Sequence, residues 1–376
     1  MSVLESGRLI SGPQVEAFEE EFAEYMRPDD SGIYAVAVSS GTAALHLTLS
    51  ECGIIPGDEV VIPAITFAST ATAVLMAGGI PVFADINPMN GGLCVDDVLE
   101  RRLTDNTKAI IVVDLWGFPA DLDRLMGICK DRGLLLIEDA AQAHGSKLYG
   151  QYCGTFGHYG CFSFHATKHM TTMEGGMILT NSIGSADNLR RIRSHNMTDR
   201  HTHGRQLGYN YRMTEVGAAI GRVQLGKLHR RNSLRIGNTE HLFDCLGSSE
   251  AFRTIRGQAD RKTTYFWAPV ILEDVIDVDK FVEELRDNGV ECRYRYKRPL
   301  YYQDVFAGQC GTLPTTAPCE YPDYRDFGDD SRRQEDCFYA DRLAGRVIGL
   351  PNAHFYSHGE IEDIAERFLK TVRRYE

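Results

Sequence analysis

The chain lacks the features that mark several large classes of protein. It has no run of about 18 apolar residues, so no membrane-spanning helix is expected. Its first residues, MSVLESGRLISG, contain no basic stretch followed by an apolar core, and no secretory signal peptide is expected. None of the 10 cysteines belongs to a C-x-x-C pair. We therefore expect a cytoplasmic protein with reduced thiols, and we predict no metal site.

Positive charge is also in short supply. The sequence has 40 Lys and Arg residues against 52 Asp and Glu residues, and its net charge is −12 at pH 7. Binding a nucleic-acid backbone needs a cationic surface, so we do not expect nucleic acid as a partner. A local site can still hold one small anion, such as a phosphorylated cofactor. No G-x-G-x-x-G follows the first predicted strand, which argues against a nicotinamide dehydrogenase.

Short apolar runs alternate with helical segments through the first two thirds of the 376 residues. Apolar spacing of three or four occurs in 42–52 and 121–132, and the runs AIIVVD and LLLIED suit strands buried on both faces. This order predicts an α/β fold with a mostly parallel, seven-stranded sheet covered by helices. Ligands of such sheets lie beyond the carboxyl ends of the strands. The predicted strands are 34–38, 59–63, 80–84, 108–113, 134–138, 160–164 and 176–181.

The pattern changes after about residue 235, where a strand-like segment at 263–272 is followed by a helical one at 279–289 and an amphipathic helix near 360–374. We predict a large α/β domain over 1–235, with 1–13 as an N-terminal arm, and a small α+β domain over 236–376. Residues 307–334 are rich in Pro, Gly and Asp without clear periodicity, and are a candidate binding loop.

Three motifs follow predicted strands, and the first is SSGTAALHL at 39–47. It opens a helix, where exposed backbone N–H groups and the positive end of the helix dipole suit a phosphate. Gly41 would allow a close approach to the backbone. Many helices begin in this way without binding anything, so the motif alone is weak.

The second motif is LLLIEDAAQAHG at 134–145. Glu138 and Asp139 end a buried strand, and an acid in that position costs free energy unless it is paired. It can be a helix N-cap, or it can pair with a buried cation such as a protonated pyridine nitrogen, whose pKa it would raise by about 1–3 units. Gln142 follows three residues later, close to Asp139 if the segment is helical.

The third motif is GCFSFHATKHMTTMEGGMILTN at 160–181, in which Lys168 lies on a turn between two buried strands. Partial burial would disfavour its ammonium form and expose a nucleophilic amine, as a Schiff base requires. An exposed loop lysine is the alternative. In this order the three motifs supply what pyridoxal 5'-phosphate (PLP) needs: partners for its phosphate, its ring nitrogen and its aldehyde.

With these motifs in place, the sequence resembles the DegT/StrS-type sugar aminotransferases, which are PLP enzymes of fold type I. The resemblance runs from SGPQVEAFEEEFAEY through SSGTAALHL, GDEVVIPAITFASTA, EDAAQAHG, CFSFHATK and EGGM to GYNYRMTEVGAAIGRVQL. It implies that Lys168 forms the Schiff base and moves the proton, that Asp139 pairs with the pyridinium, and that Gln142 lies near the ring. The family's fold implies a large PLP-binding domain and a smaller C-terminal domain.

The resemblance also implies roles for residues that could otherwise be structural. Gly41 and Thr42 would hold the phosphate with Ser163 beside them, and Phe67 would stack on the pyridine face. Asn210 would reach the phosphate of a neighbouring subunit, so that the active sites are shared across a homodimer. Without the resemblance, Phe67 could be core, Ser163 could face solvent and Asn210 could bond only to local backbone.

The implied reaction is the transfer of the amino group of L-glutamate to a keto sugar, with a nucleotide-linked keto-deoxy sugar as the expected acceptor. Alternatives are a cyclitol ketone or a keto acid sugar, with glutamine as another possible donor. A PLP-dependent sugar dehydratase and a non-catalytic sensor rank lower, because Lys168 and the other cofactor residues are present. At five places the sequence departs from the family pattern: Asp114, Phe118, Met173, 193–197 and Tyr301. We expect these to affect which sugar is used.

Overall fold

The structure is a computed structural model that describes residues 2–27, 32–197, 202–294, 296–306 and 337–376. The segment 307–334, predicted as a candidate binding loop, lies outside the described residues. Within the described ranges, no helix combines the length and the apolar character needed to cross a bilayer.

The strands of the first two thirds form one sheet, as predicted. Among the described residues the sheet has seven strands in the order β1-β9-β8-β5-β4-β2-β3, and only β9 runs antiparallel to its neighbours. Its strands, together with the small β6 and β7, are β1 (Tyr34–Val38), β2 (Glu59–Pro63), β3 (Ile80–Ala84), β4 (Thr107–Val113), β5 (Leu135–Asp139), β6 (Lys147–Leu148), β7 (Gln151–Tyr152), β8 (Tyr159–Ser163) and β9 (Gly176–Thr180).

Helices cover both faces of this sheet because alternate strand residues point to opposite sides. In β4, Ile110 and Val112 belong to one apolar cluster, while Ile111 and Val113 belong to the other. The α-helices of the described residues are α1 (Ser2–Ser6), α2 (Pro13–Met26), α3 (Gly41–Glu51), α4 (Ser69–Met76), α5 (Val95–Asp97), α6 (Leu122–Arg132), α7 (Ile183–Ile192), α8 (Glu215–Leu246), α9 (Val278–Asp287), α10 (Phe338–Leu343) and α11 (His358–Val372).

The C-terminal third builds a second, antiparallel sheet in the order β10-β12-β14-β13. Its strands are β10 (Phe252–Thr254), β12 (Ala268–Leu272), β13 (Arg293–Tyr294) and β14 (Val347–Leu350), and β11 (Arg261–Lys262) pairs with β6 instead. The strand predicted at 263–272 therefore begins five residues late. Its first half is irregular, because Tyr265 has a left-handed backbone (φ 49°) and the Phe266 N–H donates to the Trp116 carbonyl at 2.8 Å.

Helix α8 links the two sheets. It begins where the buried Glu215 carboxylate accepts the backbone N–H groups of Gly12, Gln14 and Val15, each at 2.9 Å. These bonds satisfy donors at the start of α2, which have no partner within their own helix. The predicted domain boundary at residue 235 lies inside α8, and the division at that residue stays a prediction.

Candidate active site

A cavity of about 200 Å³ opens beyond the carboxyl ends of β1, β2, β5 and β8. This is the edge of the sheet where the sequence predicted a ligand site. The C-terminal third closes its other side with aromatic residues. The cavity is lined by Ser40, Gly41, Thr42, Leu45, Thr66, Phe67, Ser69, Asp139, Ala141, Gln142, Ser163, His165, Thr167, Lys168, Glu174, Phe266, Trp267 and Tyr296.

The first predicted motif forms the start of α3 at this edge. Ser40 caps the helix by accepting the Ala43 N–H at 3.0 Å. Gly41 packs against Ser163 so closely that a Cβ atom at position 41 would lie 2.8 Å from the Ser163 Cβ. The structure therefore brings Gly41, Thr42 and Ser163 together on the wall of the cavity at the start of α3, and a helix N-terminus in this place can hold a phosphate.

Asp139 ends β5 and is almost completely buried. Its Oδ2 accepts the hydroxyl of Thr70 at 3.0 Å, and its Oδ1 accepts the N–H of Ala141 at 3.2 Å. Burial raises the pKa of Asp139, while the charge of Lys168 and these two hydrogen bonds lower it. The carboxylate is fixed at the inner end of the cavity and can pair with a cation placed there.

Lys168 lies half-buried on the turn after β8. Its Nζ is 4.6 Å from the centre of the Phe266 ring, a distance at which an ammonium and an aromatic face attract each other. The backbone N–H of Lys168 donates to the His165 carbonyl at 3.0 Å, which closes the turn. The amine thus lies between the end of the sheet and the aromatic wall of the cavity, which is formed by Phe266, Trp267 and Tyr296. A ligand in the cavity would be within its reach.

The side chain of Gln142 joins the two halves of the site. Its Oε1 accepts the Trp116 N–H at 3.0 Å, and its Nε2 donates to the Tyr296 hydroxyl at 3.0 Å. Trp116 and Tyr296 both have left-handed backbones, with φ of 57° and 58°. Such backbone conformations cost about 1–2 kcal/mol and are often kept at ligand sites.

Of the eight residues predicted for the site, only Asn210 does not line the cavity. Phe67 lines it with a side chain that is 55% exposed, so it is not part of the core. Asn210 is exposed and pairs through its backbone with Ser194. The predicted contact was with the phosphate of a neighbouring subunit, and it stays a prediction.

Sequence reasoning missed several residues of the site. Thr70 is on α4, and its hydroxyl reaches Asp139 only because β2 and β5 are close in the sheet. Phe266, Trp267 and Tyr296 come from the C-terminal third. The aromatic run YFW ahead of β12 could have indicated a ligand-binding segment. Because its backbone is irregular, the sequence did not show which of its side chains point to the cavity.

Several departures from the family pattern lie away from the cavity in this chain. Tyr301 is buried and donates to the Asp341 carboxylate at 2.7 Å. Asp114 and Phe118 are also buried and do not line the cavity. Met173 is exposed, with a left-handed backbone (φ 71°), next to a cavity residue. The effect of these positions on sugar choice stays a prediction.

A pair of acids lies behind the site. The Glu138 carboxylate accepts three backbone N–H groups at 2.6 Å, while Asp114 accepts one, from Ala120, at 2.9 Å. Burial raises the pKa of Glu138 to about 7 and that of Asp114 well above its usual range, and the two carboxyls repel each other. Because Glu138 has more donors around it, the pKa of Asp114 is raised further than that of Glu138.

Two histidines form the seam between the sheet and the aromatic wall. The rings of His144 and His169 are 5.5 Å apart, and His169 is 5.9 Å from Phe266. Burial and the charge of Lys168 lower the pKa of His144 to about 3, and burial together with Arg235 lowers the pKa of His169 well below its usual value. Both histidines are therefore neutral at pH 7.

Comparison with known proteins gives a family match across most of the chain. A sequence model described as the DegT/DnrJ/EryC1/StrS aminotransferase family matches residues 1–322. GDP-perosamine synthase of Vibrio cholerae is 38% identical over 306 residues, which are 80% of each chain. GDP-perosamine synthase of Escherichia coli O157:H7 is 40% identical over 215 residues, 57% of this chain and 58% of that protein.

The name of a further relative contains a cyclitol ketone instead of a nucleotide-linked sugar. The L-glutamine:2-deoxy-scyllo-inosose aminotransferase of Streptomyces kanamyceticus is 38% identical over 303 residues, covering 75% of this chain and 70% of that protein. Among solved structures, DesV of S. venezuelae in complex with a ketimine intermediate superposes with a TM-score of 0.84 at 29% identity, covering 100% of this chain and 92% of the other. The aminotransferase TlmJ of Streptoalloteichus hindustanus gives 0.85 at 28% identity, covering 99% and 94%.

Proposed function

Since this chain belongs to the DegT/DnrJ/EryC1/StrS aminotransferase family, we propose that it is a PLP-dependent enzyme that moves the amino group of L-glutamate to a nucleotide-linked keto sugar. The observation that supports this best is the convergence of three groups in one cavity: the α3 N-terminus at Gly41, the buried carboxylate of Asp139, and the amine of Lys168. Each suits a different part of the same cofactor.

The residues fit pyridoxal 5'-phosphate. The N-terminus of α3 is free of a Cβ at Gly41, where one would collide with Ser163, so a phosphate can approach the backbone closely. Asp139 is buried, and among the described residues its carboxylate accepts two hydrogen bonds, which leaves a lone pair for a ring N–H. When bound, the cofactor supplies an aldehyde that carries the amino group and a ring that accepts electrons.

This chain's residues then hold the reacting groups and move the proton. Lys168 would hold the aldehyde through Nζ and, once the substrate amine replaces it, would carry a proton between substrate and cofactor carbons. Asp139 would keep the ring nitrogen protonated. Phe67 would cover the exposed face of the ring. The neutral histidines behind Lys168 add no positive charge that would repel its ammonium form.

Similarity to named enzymes supports the choice of acceptor and donor. Two of the relatives named above are GDP-perosamine synthases, whose name contains a nucleotide-linked amino sugar. The relative from Streptomyces kanamyceticus is named for L-glutamine and a cyclitol ketone, 2-deoxy-scyllo-inosose. We therefore keep transfer to a cyclitol ketone, with glutamine as donor, as the second candidate.

We also propose a homodimer in which Asn210 reaches the phosphate in the partner subunit's cavity. Two features of this chain support it. Asn210 is exposed and does not line its own cavity, and Leu207, three residues before it, is 77% exposed. Large exposed apolar side chains often mark an interface between proteins.

Mixing inactive variants tests the shared site. Lys168→Ala and Asn210→Ala subunits, each nearly inactive alone, should regain about a quarter of wild-type activity when refolded together, because one of the two sites in a mixed dimer then has both residues. Lys168→Ala mixed with His229→Ala, an exposed residue of α8, measures how much activity a normal subunit contributes. No gain with the Asn210 variant beyond either parent would contradict the shared site.

A chemical test addresses the cofactor itself. Borohydride reduction of the protein incubated with PLP should place a phosphopyridoxyl group on Lys168, detected by mass spectrometry of its peptide. Lys297, an exposed lysine paired with Asp279, is the internal reference and should stay unlabelled. A label spread evenly over surface lysines, or none on Lys168, would sink the proposed function.

The acceptor is tested with a panel. The enzyme is first converted to the aminated form, in which the cofactor carries the amino group. It is then given, one at a time, the keto sugar nucleotide corresponding to GDP-perosamine, 2-deoxy-scyllo-inosose or 2-oxoglutarate. Absorbance follows the return of the cofactor to its aldehyde form. We expect the nucleotide sugar to react with the highest kcat/KM. A preference for the cyclitol ketone would favour the second candidate, and formation of a deoxy sugar without an amine would favour dehydration.

A further inference from the structure

The amide of Gln142 has one fixed orientation. A backbone N–H can only donate a hydrogen bond, so the atom that faces the Trp116 N–H at 3.0 Å must be the amide oxygen. The Nε2 group therefore lies on the other side of the amide, toward Tyr296. Trp116 cannot turn away easily, because its ring is buried and packs against Gly91, where a Cβ would lie 2.7 Å from it.

This orientation fixes what the Tyr296 hydroxyl does. An amide nitrogen has hydrogens and no acceptor lone pair, so across the 3.0 Å contact the phenol oxygen is the acceptor. The hydrogen of the phenol is then directed away from Gln142. Tyr296 lines the cavity, and its ring is 6.4 Å from that of Trp267, which lines it too.

The backbone of Tyr296 is held in a strained conformation. Its left-handed backbone (φ 58°) is unfavourable for a bulky residue by about 1–2 kcal/mol. The surrounding structure holds it there, since the Tyr296 carbonyl accepts the Gly345 N–H at 3.0 Å. Strained residues cluster at ligand sites, so a strained residue that lines a cavity is a candidate for a functional role.

Neighbouring tyrosines provide a contrast. The Tyr294 hydroxyl donates to the Gly345 carbonyl at 2.8 Å, and the Tyr301 hydroxyl donates to Asp341 at 2.7 Å. Neither lines the cavity. Tyr296 differs from both in lining the cavity, where its phenol oxygen accepts from Gln142.

We propose that Tyr296 is a positioning residue for the keto acceptor, and that its phenol hydrogen-bonds an oxygen of a hydroxylated ring next to Lys168. This rests on the proposed function. A sugar or cyclitol ring presents hydroxyls at its edge and C–H groups on its face. In the aromatic wall of Phe266, Trp267 and Tyr296, the ring faces can pack on the C–H groups, and the phenol can hydrogen-bond a hydroxyl. The carboxylates of an amino acid donor would instead be bound best by cations.

The test compares two acceptors of one enzyme form. The aminated enzyme reacts either with the keto acceptor found in the panel or with 2-oxoglutarate, which has no hydroxyl group. In Tyr296→Phe, kcat/KM for the hydroxylated acceptor should fall about 10–100-fold, and kcat/KM for 2-oxoglutarate should change by less than about 3-fold. Tyr294→Phe is the matched control and should leave both reactions within about 2-fold of wild type.

A binding measurement separates positioning from chemistry. The aminated enzyme cannot exchange an amino group with an amine, so calorimetry with GDP-perosamine reports binding alone. Its Kd should rise about tenfold in Tyr296→Phe and stay unchanged in Tyr294→Phe. If the acceptor proves to be a cyclitol, the corresponding amino cyclitol is the probe. The thermal unfolding midpoint of each variant shows that the fold is kept.

The outcomes distinguish this proposal from the function on which it rests. If wild type aminates no keto sugar or cyclitol, the proposed function fails. If wild type does so and Tyr296→Phe matches Tyr294→Phe, this proposal alone fails. Equal losses with the hydroxylated acceptor and 2-oxoglutarate would also overturn it, since Tyr296 would then act through Gln142 on the cofactor.

Discussion

The two sides of the cavity are built by different means. On one side, Gly41 and Asp139 belong to regular elements at the carboxyl edge of the central sheet, and Lys168 follows a strand of that sheet. On the other side, Trp267 and Tyr296 come from irregular segments held by hydrogen bonds and left-handed turns around them. Under the proposed function, regular elements of the sheet edge would hold the cofactor, while the aromatic wall could differ with the acceptor without disturbing the sheet.

The largest expected effect is on the sheet side, at Asp139. Asp139→Asn removes the charge that would keep the ring nitrogen protonated, so kcat with glutamate should fall about 10–10³-fold, in line with a loss of about 1–3 pKa units. Thr70→Val removes only a hydroxyl that donates to Asp139, and should cost less than about tenfold. Rates are measured at saturating PLP. Equal effects of the two substitutions would mean that the charge is unimportant.

A methyl group added on the sheet side should weaken the cofactor site. In Gly41→Ala the new Cβ would lie 2.8 Å from the Ser163 Cβ, and the phosphate would lose its close approach to α3. We expect the Kd of PLP to rise about tenfold or more, measured by titrating the apoenzyme and following absorbance. The same contact should also lower the thermal midpoint of the apoenzyme, so the Kd is measured at a temperature at which the variant is folded.

A methyl group of the same kind on the aromatic wall should have a different effect. In Gly349→Ala the new Cβ would lie 2.8 Å from the Cβ of Trp267 and displace that ring. The acceptor KM should rise about 3–10-fold while the Kd of PLP stays near wild type. Gly226→Ala, where α8 has open space, is the control for both substitutions. A loss of PLP affinity in Gly349→Ala would mean that the two sides are not separable.

The smallest expected effect is on the free energy of unfolding, through the buried histidines between the sheet and the aromatic wall. The pKa of His144 is about 3 in the fold, below the value of about 6.5 in an unfolded chain. Below pH 6.5 the unfolded chain therefore binds a proton that the folded chain does not, and stability is lost as the pH falls. The loss approaches about 1.4 kcal/mol per pH unit for each such histidine.

Urea unfolding between pH 7 and pH 5 measures this slope. His144→Gln and His169→Gln should each make it shallower, and His229→Gln, at an exposed position, should leave it unchanged. The His169 variant also loses a ring that packs on Phe266, so its stability at pH 7 should fall. An unchanged slope in both buried variants would show that these histidines are protonated in the fold.

Local sequence patterns were sufficient to predict the strands of the central sheet. Each of its seven strands was predicted within two residues at either end, because strands buried on both faces carry continuous apolar runs that end at polar residues. The same reasoning failed at 263–267. That segment is as apolar and aromatic as a strand, yet Tyr265 adopts a left-handed turn so that the Phe266 N–H can reach Trp116. Such a turn depends on a partner about 150 residues away, which a local pattern does not contain.

The sequence by itself determined the order of the strands along the chain, the helix start at Gly41, the acid at Asp139 and the lysine at position 168, since each belongs to a short motif at a strand end. Only the tertiary structure decided that Thr70 supports Asp139 and that Tyr296 meets Gln142. These contacts join residues far apart in the chain. Their geometry depends on how the second sheet packs on the first, and no local spacing encodes that.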